Sequence, residues 1–418
     1  MSERRPAITV LTEYFHPEEA STAQLLTELA TGLTERFDVS VVTGYPNYHE
    51  GDQSRSVPKQ EVYEGVDVRR VRATRFDKDA VPLRVVNWLS FVCLALGHLL
   101  GRRDRSDAVL VLSNPPILPL VAWVNKRVRG TPYAYLVYDV YPDVPAALGL
   151  ISADGLVARL WDRGMRAVYR DADRIVVLGE SMERHIADKM DDDADFDPET
   201  IEVIPNWEDE TFIKPLEKSD NDFAREQGTV EPFTLVYSGN IGRFHDLETA
   251  IDAVGELEAR GRSDVQFLII GEGARKEGLQ RYVRREGVKN VRFLPFQPRE
   301  RLPETLTCGD ASLVGIRAEM EGMCVSSKLY SSLAAGLPVL AAVGENDEVA
   351  RTVRSCDCGV HVQPGNAERA ADVLARWADD SERTRQLGAN ARRCLENNYT
   401  LSHALERYTD LFFELAEP

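Results

Sequence analysis

Lysine is scarce in this 418-residue chain: it supplies nine of the 50 basic residues, while Asp and Glu number 68 and leave a formal charge of -18. That balance excludes a nucleic-acid backbone as partner for the chain as a whole, because phosphate binding needs a cationic surface. Local basic pockets for phosphate remain compatible with it. An acid-rich, Lys-poor surface also suits a salt-rich cytoplasm, where like-charge repulsion is screened. Cysteine is equally sparse. Cys93, Cys308, Cys324, Cys356, Cys358 and Cys394 form no disulfide framework, and the single residue between Cys356 and Cys358 fits no usual zinc spacing. All six are expected to be reduced thiols of a cytosolic protein.

Long hydrophobic runs are missing too. The N-terminus, MSERRPAITVL, has too short an apolar run for a signal peptide and reads as the approach to a first strand. The longest run, 85–100, is 16 residues long and carries Asn87, Ser90 and His98, so it falls short of the roughly 20 apolar residues of a membrane span. Two readings remain for it. One is a core helix. The other is a helix lying on a membrane, with Arg84, Arg102 and Arg103 favouring anionic lipid.

What is present fits a soluble globular chain: 43% hydrophobic and 28% charged residues, at a length that predicts two domains with a ligand cleft between them. In the first half, β-rich runs at 8–12, 39–44, 108–113, 133–139 and 174–179 alternate with helical patterns, which implies a parallel, doubly wound sheet. An acidic, Pro-containing stretch, 191–215, reads as a linker. The same grammar restarts with runs at 233–240, 265–273, 291–296, 311–316 and 338–342, predicting a second Rossmann-like domain. Helices follow after Asn366, and the amphipathic 401–416 needs a partner surface. The expected boundaries are 1–205, 206–398 and a terminal helix, 399–418, packed back on the first domain.

Three stretches carry candidate chemistry. Ser238-Gly239-Asn240-Ile241-Gly242-Arg243 joins a strand to a helix through a glycine-rich turn, whose backbone N–H groups and Arg243 suit a diphosphate. By itself the pattern is also plain turn chemistry. The next strand ends in Gly271-Glu272-Gly273, at the sheet edge where open α/β folds bind ligands. The third runs from Glu319 and Glu321 through Ser326 and Ser327 into a helix that begins at Lys328, carries Ser331 and ends at Gly336. A lysine at a helix start opposes the helix dipole, so an anion at that place would account for it.

In this order the motifs resemble retaining glycosyltransferases of the GT-B fold, family-four type, over nearly the whole chain. Tyr14-Phe15-His16-Pro17-Glu18, Thr43-Gly44-Tyr45-Pro46-Asn47-Tyr48 with Gly51, Ser113-Asn114-Pro115-Pro116, Asp139-Val140-Tyr141-Pro142-Asp143 and Val203-Ile204-Pro205-Asn206-Trp207 look like a subgroup that transfers amino sugars or hexoses in surface-polysaccharide or lipid-linked oligosaccharide synthesis. The resemblance implies two Rossmann-like domains and an interdomain cleft. Arg243 and Lys328 would hold the donor diphosphate, and Gly242 would let the backbone approach it. Glu321, or Glu319, would contact the donor sugar, and Asp139 would orient the acceptor oxygen. Gly239, Asn240, Gly271, Gly273, Ser326, Ser327 and Ser331 complete the expected donor site.

The chain departs from the family pattern at definite points. Ser331 stands where the resemblance implies a ribose-binding glutamate, and His245 and Asp246 stand near the place of an expected lysine. Ala20-Ser21-Thr22 replaces a glycine pair after the first strand. No cofactor and no metal are expected, since cations on side chains take over the metal's charge, and Asp191-Asp192-Asp193 reads as a solvated acidic loop. His16, His49, His185 and His361 show no ligand spacing. The expected partners are a nucleotide-sugar donor, a glycan or lipid-linked acceptor and a peripheral membrane contact through 85–100, at the cytoplasmic face. A nucleotide-sugar epimerase and a non-catalytic nucleotide-sugar-binding subunit are the competing readings. No Gly-x-Gly-x-x-Gly follows a first strand to support an oxidoreductase.

Overall fold

A computed structural model describes residues 4–18, 20–46, 57–76, 80–101 and 106–416, leaving aside the side chain of Val81. Asn47, Tyr48, His49, Gly51, Arg102 and Arg103 therefore lie outside the described residues. The chain divides into two compact units, one of residues 1–205 with 401–418 and one of residues 206–400.

The first unit opens with β1 (Ala7–Leu11), α1 (Ser21–Leu33), β2 (Asp38–Thr43), β3 (Gln60–Tyr63), β4 (Val66–Arg70) and α2 (Val81–Leu99). It continues with β5 (Ala108–Leu112), α3 (Pro119–Arg129), β6 (Tyr133–Val137), α4 (Asp143–Ala147), α5 (Leu156–Asp171), β7 (Arg174–Val177), α6 (Glu180–Met190) and β8 (Ile201–Val203). The sheet order is β3-β4-β2-β1-β5-β6-β7-β8, parallel except for the β3–β4 hairpin. β5 and β6 are buried along their whole length, as continuous apolar runs covered on both faces should be.

The second unit holds α7 (Asp222–Gln227), β9 (Phe233–Ser238), α8 (Glu248–Ala259), β10 (Val265–Ile270), α9 (Lys276–Glu286), β11 (Val291–Leu294) and α10 (Leu302–Thr307). β12 (Ala311–Gly315), α11 (Lys328–Ala334), β13 (Val339–Ala342), α12 (Glu348–Ser355), β14 (Gly359–Val362), α13 (Ala367–Asp379) and α14 (Ser381–Asn398) complete it. Its sheet order, β11-β10-β9-β12-β13-β14, is wholly parallel. The last helix, α15 (Leu401–Ala416), packs on α1. Phe412 and Phe413 of α15 meet Phe37 with ring centroids 6.0 and 4.8 Å away, and Gly32 leaves the room that Leu405 fills.

Several expectations are corrected. The stretch read as a linker contains β8, which adds an edge strand to the first sheet, because its short Ile-Glu-Val run is masked by the acids around it. α2 is no core helix: within 82–99 only Asn87, Phe91, Ala95 and Leu99 are buried, one residue every four, so a narrow stripe faces the sheet. Its 18-residue window has a mean hydropathy of 1.3, long and apolar enough by composition to cross a membrane. Yet Asn87 exchanges two 2.9 Å hydrogen bonds with the backbone of Phe76, and the Thr74 N–H donates to Ser90 at 2.9 Å, which ties the helix to the unit. The cysteines are not all thiols. Cys356 and Cys394 form a disulfide between the end of α12 and α14, where their Cα atoms lie 5.9 Å apart, a proximity the 38-residue separation conceals. The acidic loop is at the surface as expected, with Asp191 and Asp192 exposed, and Asp192 and Asp193 pair there with Arg166 and Arg170.

Candidate functional site

β9 is flanked by β10 on one side and β12 on the other, so the crossovers leave it in opposite directions. Loops diverge at such a switch point and open space beyond the carboxyl ends of the strands. The loop after β9 is pinned to the loop after β10: Gly239 N–H donates to Ile270 O at 2.9 Å and Ile241 N–H to Glu272 O at 2.8 Å. Gly271 and Gly273 have φ of 152° and 146°, values that disfavour any side chain. A Cβ on Gly271 would overlap the Gly239 carbonyl oxygen, and one on Gly273 would crowd that of Ile241. Both glycines thus act by letting two backbones touch. On the other side, Asp246 N–H donates to Gly315 O at 3.2 Å and Arg317 N–H to Phe244 O at 2.9 Å, closing the loops of β9 and β12 on each other.

Lys328 reaches into this cradle from the first position of α11. Its Nζ lies 3.5 Å from His245 Nε2 and 5.2 Å from the centroid of the Tyr237 ring, and a Cβ on Gly239 would stand 3.0 Å from its Cε. Among the described residues no carboxylate pairs with it, and burial pushes its pKa down to about 8. α11 spans only seven residues, so the charge of the ammonium outweighs any dipole of the helix. Ser332 fixes that helix by donating to Lys328 O at 2.6 Å and meeting Ser312 Oγ of β12 at 2.7 Å.

His245 is buried, and its Nδ1 accepts the Gly242 N–H at 2.9 Å. Burial, then the charges of Lys328 and Arg275, hold its pKa well below the ordinary value. The ring is therefore neutral, with its proton on Nε2, facing Lys328. Arg243 is exposed and makes no ion pair among the described residues.

The remaining predicted residues are less closely gathered. Glu321 accepts the Asn346 N–H at 3.0 Å and its Nδ2–H at 3.2 Å, so it is tied to the loop after β13. Glu319 is exposed in the turn 318–320. Ser326 is buried, Ser327 precedes α11 without a side-chain capping bond, and the Ser331 hydroxyl donates to Lys328 O at 3.3 Å. Asn240 is exposed, and its carbonyl accepts from the Tyr237 hydroxyl at 2.6 Å.

Asp139 belongs to the first unit, just past β6. Its N–H and that of Tyr138 donate to Ser113 Oγ at 3.2 and 3.0 Å. Burial raises its carboxyl pKa to about 6. At Asp143 burial also pushes upward, but hydrogen bonds and charge from His185 and Lys189 win and hold it below its ordinary value.

Family models agree with this division of the chain: residues 22–207 match a glycosyl transferase 4-like domain and residues 219–394 match glycosyl transferases group 1. The probable glycosyltransferase WbjE of Pseudomonas aeruginosa is 27% identical over 312 residues, 74% of this chain and 75% of that one. The putative colanic acid biosynthesis glycosyl transferase WcaI of Escherichia coli is 28% identical over 214 residues, about half of either protein. The fold matches that of Anabaena Alr3699/HepE in complex with UDP-glucose, with a TM-score of 0.73 at 14% identity over 98% of this chain and 99% of that one. The chain is a GT-B glycosyltransferase of the family-four type.

In this glycosyltransferase the structure gathers Gly239, Gly242 and Lys328 around one space and adds His245, which sequence reasoning passed over as a missing lysine. Ser312 and Gly315 were missed as well. Their only signal was small residues at the end of a buried strand. A separate cavity of about 760 Å³ beside α2 is lined by Lys59, Arg69, Arg70 and Arg72 with no carboxylate in its lining, and none of the predicted site residues borders it.

Proposed function

We propose that this glycosyltransferase moves a hexosyl or N-acetylhexosaminyl group from a nucleoside diphosphate sugar to a glycan or lipid-linked acceptor, with retention of anomeric configuration, in surface-glycan or glycoprotein-glycan assembly. The observation that carries the reading is Lys328, a cation with no counter-ion among the described residues, at the switch point of the second sheet. An ammonium so placed is completed by an anionic ligand. The names of the relatives favour surface glycans, and the UDP-glucose of the Anabaena protein favours a nucleotide sugar.

In this reading the bond between the anomeric carbon and the leaving phosphate oxygen breaks as the acceptor oxygen bonds to that carbon. The acceptor proton passes to the departing diphosphate on the same face. Charge grows on the diphosphate as the bond breaks, so Lys328, His245 and Arg243 stabilise the transition state more than the ground state. Glu321, or Glu319, faces the donor sugar, and Asp139 accepts a hydrogen bond from the acceptor hydroxyl. No metal is required, and activity is expected to survive chelation. The enzyme works at the cytoplasmic face of a membrane, touching it through 85–100. Incubation with nucleotide sugars and extracted lipid acceptors tests the reading: nucleoside diphosphate should appear only when acceptor is present, and the product's anomeric configuration should match the donor's. Release independent of acceptor, or strict dependence on magnesium or manganese, refutes it.

A further inference from the structure

α2 is not the only helix of the first unit with an apolar outer surface. At the start of α5, Leu156, Val157 and Leu160 are 73%, 66% and 63% exposed, and on α2 Leu83, Val86 and Leu89 are 39%, 42% and 50% exposed. Topology places the two patches on one face of the sheet, on either side of α3. The connections β4 to β5, β5 to β6 and β6 to β7 all step the same way along the sheet, and right-handed crossovers then set α2, α3 and α5 on one face. α3 indeed packs against both α2 and α5. α1 steps the other way and lies on the opposite face with α15. Because β4 to β7 run parallel, α2 and α5 both begin at the carboxyl edge of the sheet, the end where Asp139 sits.

Charge singles out the same region. In a chain of net charge -18, the described residues of 71–99 and 149–163 carry Arg72, Arg75, Arg84, Arg159 and Arg163, none of which forms an ion pair with another described residue. Asp162 there is paired with Lys189, which leaves Asp154 as the one carboxylate outside an ion pair among those residues. Apolar side chains rimmed by arginine at one edge of an otherwise acidic protein match an interface of acyl chains under anionic headgroups. A second copy of the chain would bring the same cations against themselves.

We infer that the N-terminal halves of α2 and α5 form one docking face for an anionic lipid bilayer, with α5 as the part the hydrophobic run does not reveal. The inference rests on the reading of a lipid-linked acceptor, since such a face would hold the carboxyl edge of this unit beside the membrane that carries it. The test is co-sedimentation of the full chain with vesicles of phosphatidylcholine containing 30% phosphatidylglycerol at low salt. Leu156→Glu with Val157→Glu and Leu160→Glu should lower the bound fraction at least tenfold, as should Val86→Glu with Leu89→Glu. Arg159→Glu with Arg163→Glu should weaken binding and flatten its salt dependence. Pure phosphatidylcholine should bind weakly. Each variant should keep its thermal shift with UDP and its transfer to a water-soluble acceptor, so loss of docking and failure of the transferase reading give different results. Parent-like binding by the α5 triple variant overturns the inference, as does a parent that ignores the anionic vesicles. A concentration-dependent dimer that the α5 variant abolishes in sedimentation velocity overturns it too, by making a second copy the occupant.

Discussion

Replacing Lys328 with Met should make the protein more stable and nearly inactive. The fall of its pKa from 10.5 to about 8 corresponds to about 3 kcal/mol acting against the ammonium in the unliganded fold. The folded pKa lies below the unfolded one, so between pH 8 and 10.5 the unfolded chain holds a proton that the folded chain has released. Stability therefore rises with pH through that window, and the cost is fully present below pH 8. Met keeps the length of the side chain without the charge. It forfeits the contact of the ammonium with the Tyr237 ring, worth about 1 kcal/mol, which leaves a net gain of about 1–2 kcal/mol at pH 7 and almost none above pH 10.5. Transfer should fall about 10²-fold or more, the loss expected when one preorganised electrostatic donor is removed. Arg should restore only part of it, because a planar fork does not reproduce a compact ammonium. Melting curves at pH 7 and pH 10.5, with and without UDP, read alongside initial rates, give both quantities. A Met variant that melts lower than the parent at pH 7, or transfers at near the parent rate, refutes the reasoning.

Asp139 must be ionised to accept a hydrogen bond from the acceptor hydroxyl without donating one, and its pKa of about 6 is expected to set the acid limb of kcat/KM; Asp139→Asn should lower the rate and remove that limb from the pH profile. Gly271→Ala forces a Cβ into the Gly239 carbonyl at a φ of 152°, so donor KM should rise severalfold and urea denaturation should show a loss of about 2 kcal/mol or more. Thiol titration of denatured, unreduced protein should count four cysteines, Cys93, Cys308, Cys324 and Cys358, rising to six after reduction.

The parallel sheets were legible because buried central strands need continuous apolar runs, and β5, β6, β9 and β10 stand out as such between helical patterns. Edge strands escaped for the opposite reason. β3 alternates exposed and half-buried residues, and β8 is three residues long, so neither needs a run that a reader of the sequence would notice. The disulfide was illegible because Cys356 and Cys394 meet only once α14 is folded against the end of α12. Site residues followed the same division. Lys328 and the Gly239–Gly242 turn sit in local patterns that announce a strand-to-helix turn. Glu321 does not, because what engages it is the backbone and side chain of Asn346, 25 positions away.

His245 shows what such long-range geometry adds. In the sequence it occupies the place of an expected cation and reads as a loss. In the fold its Nδ1 takes the Gly242 N–H, which forces the proton onto Nε2, 3.5 Å from Lys328 Nζ. Two donors then face each other with no acceptor for either among the described residues, and a phosphate oxygen between them would satisfy both. Two substitutions separate the roles of the ring. Asn can offer an oxygen near the place of Nδ1 and keep the Gly242 tether, but it has no donor at the reach of Nε2. Gln can offer a donor at that reach and gives up the tether. If the Nε2 proton stabilises the leaving diphosphate, His245→Asn should melt like the parent yet lose about 10–100-fold in kcat. His245→Gln should keep more of kcat while raising the donor KM through a looser turn. An Asn variant with parent kcat would show that the ring only ties the turn, and the diphosphate would then rest on Lys328 and Arg243 alone.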